Sequence, residues 1–196
     1  MMWWVKARRA QTLLPAALAC LTALVLLVQD TASQFPSLRT GDDNPVMLML
    51  LVPLPLCAAL LASLESRLPA AEDAPARRVR LRDAGLTLAA VTAATVIGVG
   101  VGPLLDSDAG PALGRNTAFF VGLMLCTRAV AGQPAVMTPV LWFAAVVFFG
   151  SDRTGHPAPW TVLPHTAGNR AAALTALLTL TAGLIVQMST RPRATT

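Results

Sequence analysis

The apolar residues of this chain fall into six blocks of 16 to 20 residues, and the polar segments between them carry nearly all the charge. A helix needs roughly 20 apolar residues to cross the hydrocarbon core of a bilayer. Hydrophobic residues make up 55% of the sequence and charged residues only 13%, against roughly 25% charged residues in a soluble domain. One soluble core could not bury six such blocks, whereas a bilayer can. The sequence therefore predicts an all-α, polytopic integral membrane protein with six transmembrane helices in a single membrane domain.

The predicted spans are residues 11–28, 45–64, 86–105, 116–131, 135–150 and 171–188. The first follows a basic lead and resembles a signal peptide, but without a convincing cleavage site we expect it to remain a membrane helix. In the second, Pro53 and Pro55 are expected to kink or locally unwind the helix. The fourth is short, because only 12 residues separate Arg115 from Arg128. Snorkelling arginines at its two ends favour a thin span, and a re-entrant segment is the alternative.

The distribution of Lys and Arg predicts the orientation, because these residues concentrate in cytoplasmic loops of membrane proteins. With six spans and a cytoplasmic N-terminus, 11 of the 15 Lys and Arg residues lie inside and 4 lie outside. If the fourth block did not cross, the split would be 9 to 6. The sequence thus predicts a multi-pass protein of the cell (plasma) membrane with both termini in the cytoplasm. The preference for Arg over Lys, with abundant Ala and Leu, is typical of a GC-rich bacterial genome.

The residues that could carry chemistry form no catalytic pattern. The net charge is +5, and the basic residues lie beside the apolar blocks, which argues against a nucleic-acid partner. No acidic residue is predicted deep in a span, which argues against an ion-coupled transporter. His156 and His165 share one polar loop but are a weak metal signal, so we predict no metal, no cofactor and no enzyme activity. Cys20, Cys57 and Cys126 lie inside apolar blocks and are expected to be free and buried.

The predicted cytoplasmic loop, residues 65–83, is the most charged part of the chain and the main candidate for a functional site. The simpler interpretation is a topology anchor that contacts anionic lipid. The sharper interpretation is a docking surface for a cytoplasmic protein, because opposite charges cluster here and arginine forms bidentate pairs with carboxylates. The candidate docking residues are Glu72, Asp73, Arg77, Arg78, Arg80 and Arg82.

Gly98 and Gly102 form a GxxxG pair in the third predicted span. Small residues at this spacing let two membrane helices approach closely. We therefore predict that both glycines pack against another helix, in this chain or in a second copy. The glycine run is not a phosphate-binding loop, because the Walker lysine is absent and no strand is predicted before it.

Several of these features occur together in one known layout. They are the six spans, the short amphipathic lead at residues 1–10, the charged inner loop at 65–83, the short fourth span after Arg115-Asn116-Thr117, and a partly apolar outer segment at 160–170. This layout resembles the membrane subunit of ABC-2-type transporters, the permeases that work with a separate ATPase. The stretch from Arg115 to Leu123, followed by Arg128 and a Pro-containing helix, is similar to actinobacterial membrane proteins often labelled this way. The chain is shorter than most such permeases, and its lead is too short for a full interfacial helix.

The resemblance implies a permease subunit, an exporter, that pairs with a sister subunit or a second copy and with a cytoplasmic ATPase docked on the loop between spans two and three. ATP hydrolysis would then lie entirely in the partner. The alternative is a small non-catalytic membrane protein that acts as a scaffold, a complex subunit or a self-protection factor. A membrane enzyme is the least favoured interpretation, because no polar residues converge inside the predicted spans.

Overall fold

The structure, a computed structural model, describes residues 10–28, 31–36, 43–66, 76–104, 109–151, 156–158 and 160–189. Within these ranges the chain forms six α-helices. They are α1 (Ala10–Val28), α2 (Pro53–Glu65), α3 (Ala76–Leu104), α4 (Ala109–Ala131), α5 (Met137–Phe149) and α6 (Arg170–Ser189). Each of the six predicted apolar blocks therefore contributes one helix. Four helical stretches are long and apolar enough to cross a membrane: Gln11–Val28, Leu48–Glu65, Val79–Gly102 and Arg170–Ser189.

A short antiparallel ribbon is added to this helical fold. Strand β1 (Ala32–Pro36) pairs with strand β2 (Asp43–Met47), with Ala32 opposite Met47. The ribbon occupies the polar stretch after α1 and takes in the first three residues of the predicted second span. A 3₁₀ turn at Leu48–Leu51 then leads into α2.

Helix α2 begins at Pro53, eight residues later than the predicted second span. Proline has no backbone N–H and is tolerated in the first turn of a helix, where the N–H groups have no intrahelical partner. Pro53 and Pro55 therefore start α2 instead of kinking it. The expected local unwinding is present just upstream, as the 3₁₀ turn at Leu48–Leu51.

Helices α3 and α4 both begin earlier than their apolar blocks. Helix α3 starts at Ala76, so residues 76–83 of the predicted cytoplasmic loop form its first two turns. Helix α4 starts at Ala109, so Arg115 lies in its second turn instead of in a polar loop. With 23 residues, α4 is about 34 Å long, enough to match a hydrocarbon core of about 30 Å.

Helix α4 lies at the centre of the bundle. It packs most extensively against α6 and α3, and it also contacts α2 and α5. Glycines set the separation between these helices. A Cβ on Gly110 would lie 2.7 Å from the Gly102 Cα, and one on Gly183 would lie 2.7 Å from the Gly122 carbonyl oxygen. The backbones of α3, α4 and α6 are therefore in direct contact.

The outward faces of the helices are apolar. The exposed large side chains include Leu26 and Leu27 on α1, Val96 and Val99 on α3, and Leu174, Leu177 and Leu178 on α6. The hydroxyl groups of exposed Thr175, Thr179 and Thr181 each donate to a carbonyl four residues earlier on α6, at 2.7–2.9 Å. Because these hydroxyls donate within their own helix, their hydrogen atoms are bonded even in an apolar environment.

Candidate functional site

The first polar cluster joins the C-terminal ends of α2 and α4, and we call it the Arg128 junction. The Arg128 Nε donates to Glu65 Oε1 at 2.6 Å, and its Nη2 donates to the Leu64 carbonyl oxygen at 3.1 Å. From the sequence, Arg128 was expected to be a snorkelling anchor and Glu65 to begin a loop. The structure corrects this, because α2 ends at Glu65 and brings the carboxylate to the guanidinium.

The Arg128 junction stabilises the bundle in two ways. The guanidinium donates to the Leu64 carbonyl in the last turn of α2 and so links that helix end to α4. It also forms an ion pair whose side chains are only 19% and 20% exposed. Hydrogen bonds to charged groups contribute about 1.5–3 kcal/mol each at partly buried sites. Next to it, the Thr138 hydroxyl of α5 donates to the Thr127 hydroxyl of α4 at 3.0 Å, so three helices meet here.

The second polar cluster lies at the other end of α4, and we call it the Arg115 junction. Arg115 Nη1 donates to the Thr166 carbonyl oxygen at 2.7 Å, and Nη2 donates to those of His165 at 2.7 Å and Leu163 at 3.2 Å. Its Nε and Nη2 also donate to Asn116 Oδ1. All these acceptors are neutral oxygens, and three of them belong to the irregular chain before α6. Arg115 therefore fixes the 160–169 segment onto α4.

Aromatic side chains hold the same segment from α5. Trp142 stacks edge-on against Trp160 with ring centroids 6.0 Å apart, and it lies 5.4 Å from Phe119 of α4. Val162 and Leu163 are buried, whereas Trp160 is 43% exposed. An exposed tryptophan beside apolar helices is typical of the headgroup layer of a membrane. This geometry matches the predicted partly apolar segment before the last span.

The predicted docking residues have different environments. Glu72 and Asp73 lie outside the described residues. Arg77 and Arg78 belong to the first turn of α3. Arg80 Nη1 donates to the Met188 carbonyl oxygen of α6 at 2.9 Å, so this side chain is engaged inside the chain. Arg82 is exposed. The first turns of α3 thus carry the predicted positive charge, and one of its four arginines links α3 to α6.

The two predicted packing glycines lie on the face of α3 that meets α4. A Cβ on Gly98 would collide with the Gly110 carbonyl oxygen and lie 3.0 Å from the Leu113 Cβ. Gly102 lies against Gly110. The contact partner is a helix of the same chain. A role for either glycine in assembly with a second copy stays a prediction.

Two buried polar residues were missed by the sequence analysis. Asp83 is 7% exposed, and it lies on α3 inside the apolar stretch Val79–Gly102. Because α3 starts early, Asp83 lies on its packed face near the N-terminal end of this stretch, and the expectation that no acidic residue lies deep in a span stays a prediction. Gln187 of α6 is 9% exposed, and its amide atoms have no hydrogen-bond partner within the described part of the chain. A lone amide in an apolar block was the signal that could have revealed it.

The histidines and cysteines are separate from these clusters. His156 is exposed and His165 is half-buried, and no three metal-ligating residues come together among the described positions. The three cysteines are free. Cys57 is buried and Cys126 is half-buried, but Cys20 is exposed on α1, which corrects the expectation that all three are buried. Because α1 lies at the edge of the bundle, half of its surface faces away from the other helices.

No protein-family model, curated protein or solved structure matches this chain. Its function must therefore be argued from the two junctions of α4, the charged start of α3 and the apolar outer surface.

Proposed function

We propose that the chain is the membrane-spanning permease subunit of an ABC-type exporter and works with a separate cytoplasmic ATPase. In this proposal all six helices cross the plasma membrane, with both termini in the cytoplasm. The exposed apolar side chains of α1, α3 and α6 support a bilayer environment, because soluble monomers rarely expose large contiguous apolar patches.

Contacts between helix ends support a chain that crosses the membrane in alternating directions. Glu65 meets Arg128, and Arg80 meets Met188, so the ends of α2, α4 and α6 and the start of α3 share one side. Arg115 at the start of α4 meets His165 just before α6, which puts both helix starts on the opposite side. The first side is the cytoplasmic one in the orientation predicted from the charge distribution.

The length of α3 is the observation that carries the docking proposal. Its 29 residues make a helix about 43 Å long, roughly 13 Å more than a hydrocarbon core of about 30 Å requires. The charged residues lie at its N-terminal end, so the excess length extends the first residues of α3 beyond the apolar layer. A basic helical end that projects into the cytoplasm is a suitable contact for an acidic surface of an ATPase.

The docking test removes charge without disturbing the fold. Arg77, Arg78 and Arg82 are changed together to Gln, and Arg80 is left in place because it donates to Met188. The matched control changes Arg39, Arg153 and Arg170, on the predicted outer side, to Gln. The docking variant keeps 8 of the 11 predicted cytoplasmic charges against 4 outside, so the orientation is expected to hold. Reporter fusions check this first.

The readout is the ATPase that co-purifies with the tagged chain from membranes. We expect the wild type and the control to retain an ATPase at the same ratio, and the docking variant to lose it and its transport. Equal recovery with both variants would refute docking on α3. No ATPase with the wild type would overturn the permease proposal itself.

A non-transporting scaffold is the second candidate, and one observation favours it. The backbones of α3, α4 and α6 touch at glycines, and such close packing suits a fixed scaffold. A scaffold predicts that the chain co-purifies with a membrane complex that lacks an ATPase. The same pull-down therefore separates the two functions.

A further inference from the structure

The two arginine junctions lie on one helix, about 20 Å apart along its axis, because Arg128 is the thirteenth residue after Arg115. Arg128 holds the end of α2, where the cytoplasmic loop begins, and Arg115 holds the 160–169 segment. We propose that α4 is a rigid strut that couples these junctions, so that a displacement at the end of α2 changes the position of the 160–169 segment.

The first argument is the rigidity of α4 and its neighbours. Cβ atoms built at Gly110 and Gly122 would lie 2.5–2.7 Å from backbone atoms of α3 and α6. At these positions a change of side-chain rotamer cannot make room for sliding, because backbone atoms of neighbouring helices meet directly. Packed elements of this kind move as units. We therefore expect α3, α4 and α6 to move together.

Helix α2 and the 160–169 segment are each attached to α4 by one of the two arginines. Helix α2 packs mainly against α1 and less extensively against α4, so the Arg128 junction is its polar link to the central helix. The 160–169 segment has no regular secondary structure, and Arg115 binds three of its carbonyl oxygens beside the aromatic contact of Trp160. Both links use short hydrogen bonds to a planar guanidinium, which fixes direction as well as distance. A shift of α4 is thus transmitted at either end.

This coupling deepens the proposed function, since an ATPase docked on the start of α3, at the same end of the bundle as the end of α2, would have a mechanical route to the outer segment. The coupling depends on the proposed six-span arrangement in one respect, which is that the two junctions lie on opposite sides of the membrane. The test uses the full chain alone in lipid nanodiscs, without an ATPase, so the outcome is independent of whether the chain is a permease.

The forward arm measures the rate at which a water-soluble maleimide labels Val162→Cys, with Cys20, Cys57 and Cys126 replaced by Ala. Val162 is 4% exposed, so labelling reports opening of the 160–169 segment. Glu65→Gln keeps the side-chain shape and removes the charge at the far junction. Coupling between sites is typically worth a factor of about 5 to 150, and we expect the labelling rate to rise at least about fivefold. The control is Arg82→Gln, an exposed charge on α3 at the same end, which is expected to leave the rate unchanged.

The reverse arm keeps the proposal testable if Glu65→Gln fails to fold. Arg115→Lys removes the planar guanidinium from the Arg115 junction. Leu64 is fully buried, so labelling of Leu64→Cys reports opening of the Arg128 junction. Since coupling is reciprocal, its labelling is expected to rise by a similar factor. An unchanged rate in either arm with a folded variant would overturn the proposal, as would an equal rise in the Arg82→Gln control.

Discussion

The close approach between α4 and α6 at Gly122 allows a sharp test of the packing. The perturbation is a single methyl group, introduced by Gly122→Ala. The new Cβ would lie 2.5 Å from the Leu180 nitrogen and the Thr179 carbonyl carbon, and 2.6 Å from the Leu180 Cα. All three are backbone atoms, so no rotamer change can relieve the contact.

The size of the effect follows from this geometry. Ordinary van der Waals contact is 3.4–4 Å, so α6 must retreat by about 1 Å. Overpacking of this kind costs about 1–3 kcal/mol. The matched control is Gly100→Ala on α3, because Gly100 is exposed and has no atom within 4 Å of the built Cβ. There the same methyl group is expected to stabilise the helix by about 0.5–1 kcal/mol.

Thermal unfolding of both variants in the same detergent measures the difference. For a chain of this size, each 1 kcal/mol shifts the melting temperature by about 2–4 °C. We expect Gly122→Ala to melt several degrees below the parent and Gly100→Ala to melt at or slightly above it. If Gly122→Ala is as stable as Gly100→Ala, α4 and α6 are not in backbone contact. The proposal that α4 is a rigid strut would then be wrong as well.

Three further predictions follow from other features. Reporter fusions after Leu105 and after Met188 should report outside and inside respectively, and an outside signal at Met188 would contradict the six-span arrangement. Arg115→Lys cannot reach all three carbonyl acceptors with one ammonium group, so proteolysis of the 160–169 segment should become faster; unchanged protection would show that the aromatic contacts alone hold it. Gln187→Met should raise the melting temperature by removing a buried amide without partners in the described chain. A lower melting temperature would show that a water or ligand satisfies that amide.

Much of the helical framework was predictable from the sequence. The six apolar blocks each contain a helix, because the length of an apolar run is a local property that a bilayer or a bundle interior imposes directly. The GxxxG spacing at Gly98 and Gly102 correctly marked a close helix contact in the chain, since the absence of a Cβ is also local information. The charged stretch before the third block was recognised, but its first turns of helix were not, because Arg and Asp interrupt the hydrophobic pattern without breaking a helix.

The position of each helix in the bundle was decided only by the tertiary structure. The fourth block looked the weakest, because Arg115 and Arg128 leave it a short apolar core, yet α4 is the central helix. A helix enclosed by other helices needs complementary neighbours more than an apolar surface, so hydropathy ranks it low. For the same reason the environments of Glu65 and Asp83 could not be predicted from the sequence. Whether a polar group is buried, paired or exposed depends on residues tens or hundreds of positions away, as between Arg80 and Met188. The sequence by itself determined which segments become apolar helices, and the packing of those helices determined which polar side chains hold the bundle together.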